Sequence, residues 1–316
     1  MSAPTIRRPA PADATPSTAG AGATGTTRDR GAVRATPPSS RPGRRSRPPV
    51  ISYLTMVFAT IVLGAPLVWM LLASLKTPGE LYQQPLQWLP GSVNLDNYAD
   101  AADTVPLARL LANSIGITAV GAGLKVILGL MCAYALVYLE FPFKKVVFGL
   151  VIATLMIPPQ VTIIPNYTLV ADLGWLNTYQ GILVPGLASA FGTFLFRQHF
   201  LTLPASILEA AELDGAGHWR RLWRFVVPMS TPTVAAVGLV SVVTEWNDYL
   251  WPFLVIDRPD KMTLPIGLTL LKNIDGMTNW GVLLAATVVV TLPILVVFLV
   301  LQRRLVDGLT AGAVTG

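Results

Sequence analysis

Charged residues are scarce in this chain: they make up 13% of its 316 residues, while 53% are hydrophobic, against roughly a quarter charged in ordinary soluble domains. That shortage excludes an ordinary soluble globular protein. Cysteine occurs once, as Cys132 within the apolar stretch 128–139, and a lone thiol forms neither a disulfide nor a metal cage, so it reads as a small core or lipid-depth residue. The two histidines, His199 and His218, have no Cys, Asp or His at ligand spacing, which argues against a metal site. A Gly-x-x-x-x-Gly-Lys-Ser/Thr run is missing, so phosphate cradling by a P-loop is excluded from this chain. No Ser/His/Asp set suggests hydrolysis, and no internal repeat is found. No catalytic residue is expected.

What the chain does have is apolar length. A bilayer core about 30 Å thick needs roughly 20 apolar residues per helical crossing, and six stretches qualify, at about 51–75, 107–139, 146–170, 180–197, 229–256 and 281–302. The expected fold is an all-α membrane protein with six transmembrane helices. The fourth stretch is the shortest and holds Pro185, Gly186 and Gly192, small residues that suit close helix packing. Ahead of the first crossing, residues 1–50 are rich in Pro, Ala, Gly, Ser and Thr and carry nine arginines against Asp13 and Asp29. Such a segment cannot bury enough apolar surface to offset its ordering entropy, so a disordered basic tail is expected, followed by a membrane domain over 51–316. The first apolar run begins only at Ile51, too far in for a secretory signal, and reads as an uncleaved span.

Orientation follows from the Lys and Arg in the connecting segments. With both termini inside, the cytoplasmic set is the nine tail arginines plus Lys144, Lys145, Arg197, Arg220, Arg221, Arg224, Arg303 and Arg304, seventeen in all. The outer set is only five: Lys76, Arg109, Arg258, Lys261 and Lys272. A multi-pass protein with both termini cytoplasmic is therefore expected. The formal charge of +6 then has a topological role, and no nucleic-acid partner is implied.

The loop between the fourth and fifth stretches is polar and cytoplasmic by this rule. Within it, Pro204 and Ser206 open a helix, Glu209 and Glu212 fall in its early turns where the macrodipole favours acids, Ala210, Ala211 and Gly215 gather on one side, and Gly215 ends or bends it. A short helix with a small-residue face and no lipid to cover it is suited to another protein's groove. An ordinary amphipathic loop helix fits the same residues.

The stretch Glu209-Ala210-Ala211, Gly215 and Pro228 resembles the EAA signature of permease subunits of ATP-binding cassette (ABC) importers, with Phe225 and Val227 where Ile and Leu are usual. Beyond the loop, Ser74-Leu75-Lys76, Asn113-Ser114, Tyr134-Ala135-Leu136, Phe141-Pro142, Ile157-Pro158-Pro159-Gln160, Trp246-Asn247-Asp248-Tyr249-Leu250-Trp251-Pro252 and the C-terminal run 308–314 resemble the carbohydrate-importer branch, in particular its maltose-type permeases. The resemblance implies a type I ABC importer permease fold in the inner membrane and an alternating-access cycle that moves an oligo- or disaccharide, or a polyol phosphate. It implies that the helix in the loop 200–228 couples to an ATPase through Glu209, Ala210, Ala211, Asp214, Gly215 and Pro228. The partners it implies are a second homologous permease, two ATPase subunits that bind the ATP and Mg, and an extracytoplasmic solute-binding protein. No cofactor is implied in this chain itself. An ion-coupled carrier would instead call for repeats and discontinuous helices around an ion site, and a membrane anchor or enzyme would lack an ATPase partner.

Charges at membrane depth are functional candidates by default. Glu245 and Asp248 stand one turn apart with Thr244, Asn247 and Trp251 nearby, acceptors beside an aromatic platform that suit a hydroxylated solute. Together with Asn113 they form the expected substrate pathway, although Asn247 and Asp248 equally suit the support of a helix interrupted before Pro252. Lys125 lies about 22–27 Å below the outer end of its span and Glu245 about 16 Å below the end of its own. At that offset the two approach only through side-chain reach or tilt, and snorkelling of the Lys125 ammonium to the inner interface is the expectation.

Overall fold

A chain this apolar must satisfy its backbone hydrogen bonds internally, and helices are the outcome. The computed structural model describes residues 50–272 and 278–313, and no strand occurs among them. The basic tail up to residue 49 and residues 314–316, which include the end of the C-terminal run, lie outside the described residues. Residues 54–316 form one unit by their contacts, and of the other unit, 1–53, only the first turn of α1 is described.

Helix α1 (Val50–Ser74) has 25 residues, about 37 Å at 1.5 Å each, and its apolar side chains are exposed on nearly all sides. Its exit is fastened by buried polar groups. Asn97 donates to the carbonyls of Ser74 at 2.9 Å and Lys76 at 2.8 Å, Ser74 Oγ lies 2.7 Å from the Tyr98 hydroxyl, and the fully buried Lys76 sits over the Trp69 ring while donating to the Gln87 carbonyl. These contacts take up carbonyls that a helix end leaves free. A capping box of Thr77 and Glu80 opens α2 (Pro78–Leu81), and α3 (Asp96–Thr104) follows.

The axis of the bundle is α4 (Leu107–Tyr138), 32 residues or about 48 Å long. Glycines on it allow close packing: Gly129 meets the Phe196 ring at ordinary contact distance for a would-be Cβ, 3.4 Å. The next span breaks into α5 (Lys144–Thr154), a 3-10 turn over Pro159–Thr162, and α6 (Ile163–Asp172), with a bend of 96°. Pro158-Pro159 causes the break, since proline lacks the N–H of the helix ladder and forces its predecessor out of the α region; Pro158 has φ −59 and ψ 131. The apolar stretch 146–170, expected as one crossing, is bent at this point. The fourth span bends by 45° between α7 (Tyr179–Leu183), with its 3-10 turn Val184–Gly186, and α8 (Ala190–Phe200).

The connecting loop holds α9 (Ala205–Leu213), α10 (His218–Arg221), a π turn Leu222–Val226, and α11 (Val227–Met229). Then come α12 (Thr231–Trp246), α13 (Leu250–Val255), α14 (Leu264–Leu270) and α15 (Trp280–Ala313). The stretch 218–229 meets α12 at 85° and carries Arg220, Arg221 and Arg224. It therefore meets the start of α12 at a steep angle, and α13 follows α12 after a break. The expected fifth span over 229–256 is thus interrupted at 247–249. By length and composition α1, α4 and α15 each suffice to cross a membrane, and six crossings result when each bent pair counts as one.

Three buried clusters hold the bundle along α4. Leu110 packs with Trp246, Leu264 and Ala286 at one end; Ile117 lies with Ile182 and Val255 between; Leu130 and Tyr134 join Phe196, Leu208 and Val226 at the end that carries α9.

Candidate functional site

Three of the helix interruptions meet. A cleft of about 310 Å³ is lined by Pro159, Gln160 and Thr162 from the break after α5 and Asn166 of α6, by Pro185 and Gly186 from the break before α8, and by Asp248 from the break after α12 and Trp251 of α13, with Lys125 and Glu245 at its wall. Its size falls at the lower edge of small-molecule sites, roughly 300–1,000 Å³. Interrupted backbone is tolerated at membrane depth where it lines such a cavity. The side chains on offer are amide, hydroxyl and carboxylate groups beside an indole face, which can bind hydroxyls and stack on a sugar ring. Trp251 is held in place by its Nε1, which donates to the carbonyls of Gly181 and Ile182, both at 3.2 Å.

Lys125 does not snorkel. Its ammonium forms an ion pair with Glu245, and both side chains are mostly buried, at 16% and 13% exposure. The depth comparison failed because helical side chains lean toward the helix N-terminus, so Lys125 reaches back up α4 over Gly121, one turn away. There the absence of a side chain admits the carboxylate: a Cβ on Gly121 would stand 2.8 Å from Glu245 Oε2.

The other expected pathway residues divide. Glu245, Asp248 and Trp251 line the cleft. Asn247 does not, because its amide donates at 2.8 Å to the Val243 carbonyl of its own helix. Asn113 lies elsewhere too, donating to the carbonyls of Asp260 and Met262 at 3.1 and 2.9 Å and accepting from the Tyr179 hydroxyl at 3.0 Å. It pins the loop between α13 and α14, in which the Arg258 guanidinium, bonded to both Asp260 oxygens, holds that carboxyl below the usual carboxylate range. Gln160, Thr162 and Asn166 were missed by reading charges alone. Their signal was present in the Pro158-Pro159 pair, which breaks an apolar run just ahead of three polar residues.

At the far end of α4, α9 buries Leu208 and Ala211 against the bundle and leaves Glu209, Ala210 and Asp214 exposed, with Leu213 89% exposed. The expected small-residue face is therefore split, Ala211 facing inward and Ala210 outward. Gly215 ends the helix at φ 75, donating at 2.9 Å to the Glu212 carbonyl, while Ala216 donates at 2.9 Å to that of Ala211. This is the Schellman arrangement, which needs a left-handed residue at its turn. Pro228 is exposed in α11. The loop also has a brace that the motif does not reveal: Glu212 pairs with Arg221 at 2.8 Å, Arg221 donates to His218 Nδ1 at 2.9 Å, and that nitrogen lies 3.3 Å from the Tyr134 hydroxyl of α4. Arginine only donates, so Nδ1 is the acceptor.

A helical bundle whose broken spans line a cleft carrying amide, hydroxyl and carboxylate groups, with an exposed helix at one end, has the architecture of a multi-span membrane protein. The chain belongs to the family described as binding-protein-dependent transport system inner membrane component, whose model matches residues 125–310. It is 34% identical over 268 residues to the sn-glycerol-3-phosphate transport system permease protein UgpE of Brucella suis biovar 1 (strain 1330), covering 82% of this chain and 95% of the relative. UgpE of Yersinia pestis bv. Antiqua (strain Antiqua) is 33% identical over the same shares. Among solved structures, a chain of a bacterial ABC transporter involved in the import of the acidic polysaccharide alginate superposes with a TM-score of 0.73 at 22% identity, covering 80% of this chain and 95% of that one. The protein is thus an inner-membrane permease component of a binding-protein-dependent transport system, a transport component and not an enzyme. Discontinuous helices, which an ion-coupled carrier would call for, occur in this permease as well.

Proposed function

We propose that this subunit carries a sugar, an oligo- or disaccharide or a related polyol phosphate, across the membrane by alternating access. It pairs with a second homologous permease, receives solute from an extracytoplasmic binding protein, and is driven by two ATPase subunits that bind ATP and Mg. No cofactor belongs to this chain. The observation that carries the reading is the meeting of three helix interruptions at one polar cleft beside Trp251; unwound segments lining a mid-membrane cavity are where transporters bind solute. Docking through the exposed face of α9 and the turn at Gly215 couples ATP-driven closure to rocking of the bundle about that cleft.

Both termini lie in the cytoplasm in this scheme, which puts α9 on the ATPase side. The test is uptake by vesicles holding the assembled complex and binding protein. ATP inside, without an ion gradient, should drive labelled sugar or glycerol phosphate inward. Uptake that follows a proton or sodium gradient and ignores ATP would overturn the proposal.

The tail is a dispensable element in this reading, because the remaining positive loops already set the topology. Deleting residues 2–40, which keeps Arg41, Arg44, Arg45 and Arg47 beside the membrane, should leave insertion and uptake within about twofold of the full chain. Loss of either in a membrane-level and uptake assay would show that the tail takes part in transport.

A further inference from the structure

We propose that a second cavity, between α4, α5 and α8, binds the phosphate headgroup of an anionic phospholipid. The cavity holds about 340 Å³ and is lined by Lys144, Lys145 and Phe148 of α5, by Arg197 of α8, and by Leu136 and Leu201 at its flanks. Three cations line it and no acid does. Glu140, close by in sequence, is exposed and takes part in none of the ion pairs among the described residues.

Each cation is held for the task in a different way. Lys144 donates to the carbonyls of Val137 at 3.0 Å and Leu139 at 2.9 Å. It thereby covers the end of α4 and keeps its ammonium fixed, with one of three N–H groups left over. The Arg197 guanidinium lies 3.9 Å from the Phe148 ring centroid, and its Nε is buried with no hydrogen-bond partner. Arg197 lines the cavity, and a phosphate oxygen is the acceptor that a guanidinium fork fits. Lys145 is exposed at the rim. The first amides of α5 add to the positive field, since Phe143 at its N-cap provides no side-chain bond.

The surroundings select a lipid over a free phosphate. Val146 and Leu150 of α5 and Leu201 are exposed beside the cations, at 56%, 63% and 53%. An apolar face adjoining a cationic cavity at the end of a span matches an amphiphile whose head sits in the cavity and whose chains run along α5. Basic pockets between transmembrane helices take anionic headgroups in this way.

The test uses the complex purified in detergent with its permease and ATPase partners, to which dioleoyl-phosphatidylglycerol or dioleoyl-phosphatidylcholine is added, with bound lipids counted by native mass spectrometry. Phosphatidylglycerol should be retained in preference. Lys145→Gln should weaken retention about fivefold and the double change Lys145→Gln with Arg197→Gln about twenty-five-fold, the loss expected for one and two cations near a charged headgroup. Because Arg197 also packs on Phe148, the exposed Lys145 is the variant that keeps the result readable if the double variant is poorly made. Equal retention of both lipids, or retention unchanged by Lys145→Gln, overturns the proposal. Displacement of the lipid by millimolar inorganic phosphate would mean a site for soluble anions instead. Preference in the full chain alone but not in the complex would mean that a partner's carboxylate fills the cavity.

Discussion

Gly215→Asp is expected to abolish sugar uptake while the protein reaches the membrane at its normal level. Gly215 stands at φ 75, closing α9, and a Cβ built there meets nothing within 4 Å in this chain. A side chain at this position therefore projects away from the bundle, toward whatever docks on α9. Two costs compete. The left-handed backbone costs an alanine about 1 kcal/mol or more, while Asn and Asp tolerate it better. In a docked groove the added side chain separates the two surfaces, and an acid must also lose its water. The series Ala, Asn and Asp separates these effects. If only backbone strain matters, Gly215→Ala is the worst and Gly215→Asn the mildest. If α9 couples to an ATPase, Gly215→Asp is the worst, and a loss of about 3 kcal/mol in docking weakens association more than a hundredfold. ATPase co-purification, membrane level and uptake are read together. Normal co-purification and uptake in Gly215→Asp would falsify the coupling role of this loop.

The second large effect concerns the ion pair at the cleft. Lys125→Met should cut the folded yield severely, because removing one partner of a buried pair leaves an uncompensated charge, a loss of about 3–5 kcal/mol. The stranded Glu245 then shares the cleft wall with Asp248, and like charges add to the penalty. The double change Lys125→Met with Glu245→Gln removes both charges and should restore most of the yield, since a buried pair contributes little net stability over neutral side chains of similar size. Thermal unfolding and membrane level of the two variants measure this. Uptake in the double variant carries the further information. Restored yield with restored uptake makes the pair a structural staple, whereas restored yield without uptake means that Glu245 or Lys125 acts on the solute. Equal yields for single and double variants would show that the two charges are not coupled.

The apolar stretches, the interruption before Pro252 and the loop helix could be read from composition and spacing because each rests on local chemistry. A run of some twenty apolar residues has one stable arrangement in a bilayer, a helix. The turn at Gly215 follows from a residue that alone adopts positive φ freely. The EAA-like stretch was legible for the same reason, as its residues lie within a few turns of one another. Where Asn113 and Asn247 direct their amides was not legible, because a polar residue at membrane depth has two uses, and sequence does not say whether its amide meets a solute or a carbonyl of its own protein. Here both meet carbonyls.

The cleft belongs to the tertiary structure. It combines side chains from α4, α6, α12 and three separate interruptions, and their convergence depends on bends of 96° and 45° that a hydropathy pattern does not encode. The pairing of Lys125 with Glu245 likewise required the direction of a side chain on α4 and the space above Gly121. The sequence by itself determined which segments enter the membrane, where helices must end, and which loop is free to meet a partner, because hydrophobic length, proline and glycine act on the residues next to them. Only the packed bundle decided which polar groups face one another across 120 residues of chain, since that depends on how bent helices lie against α4.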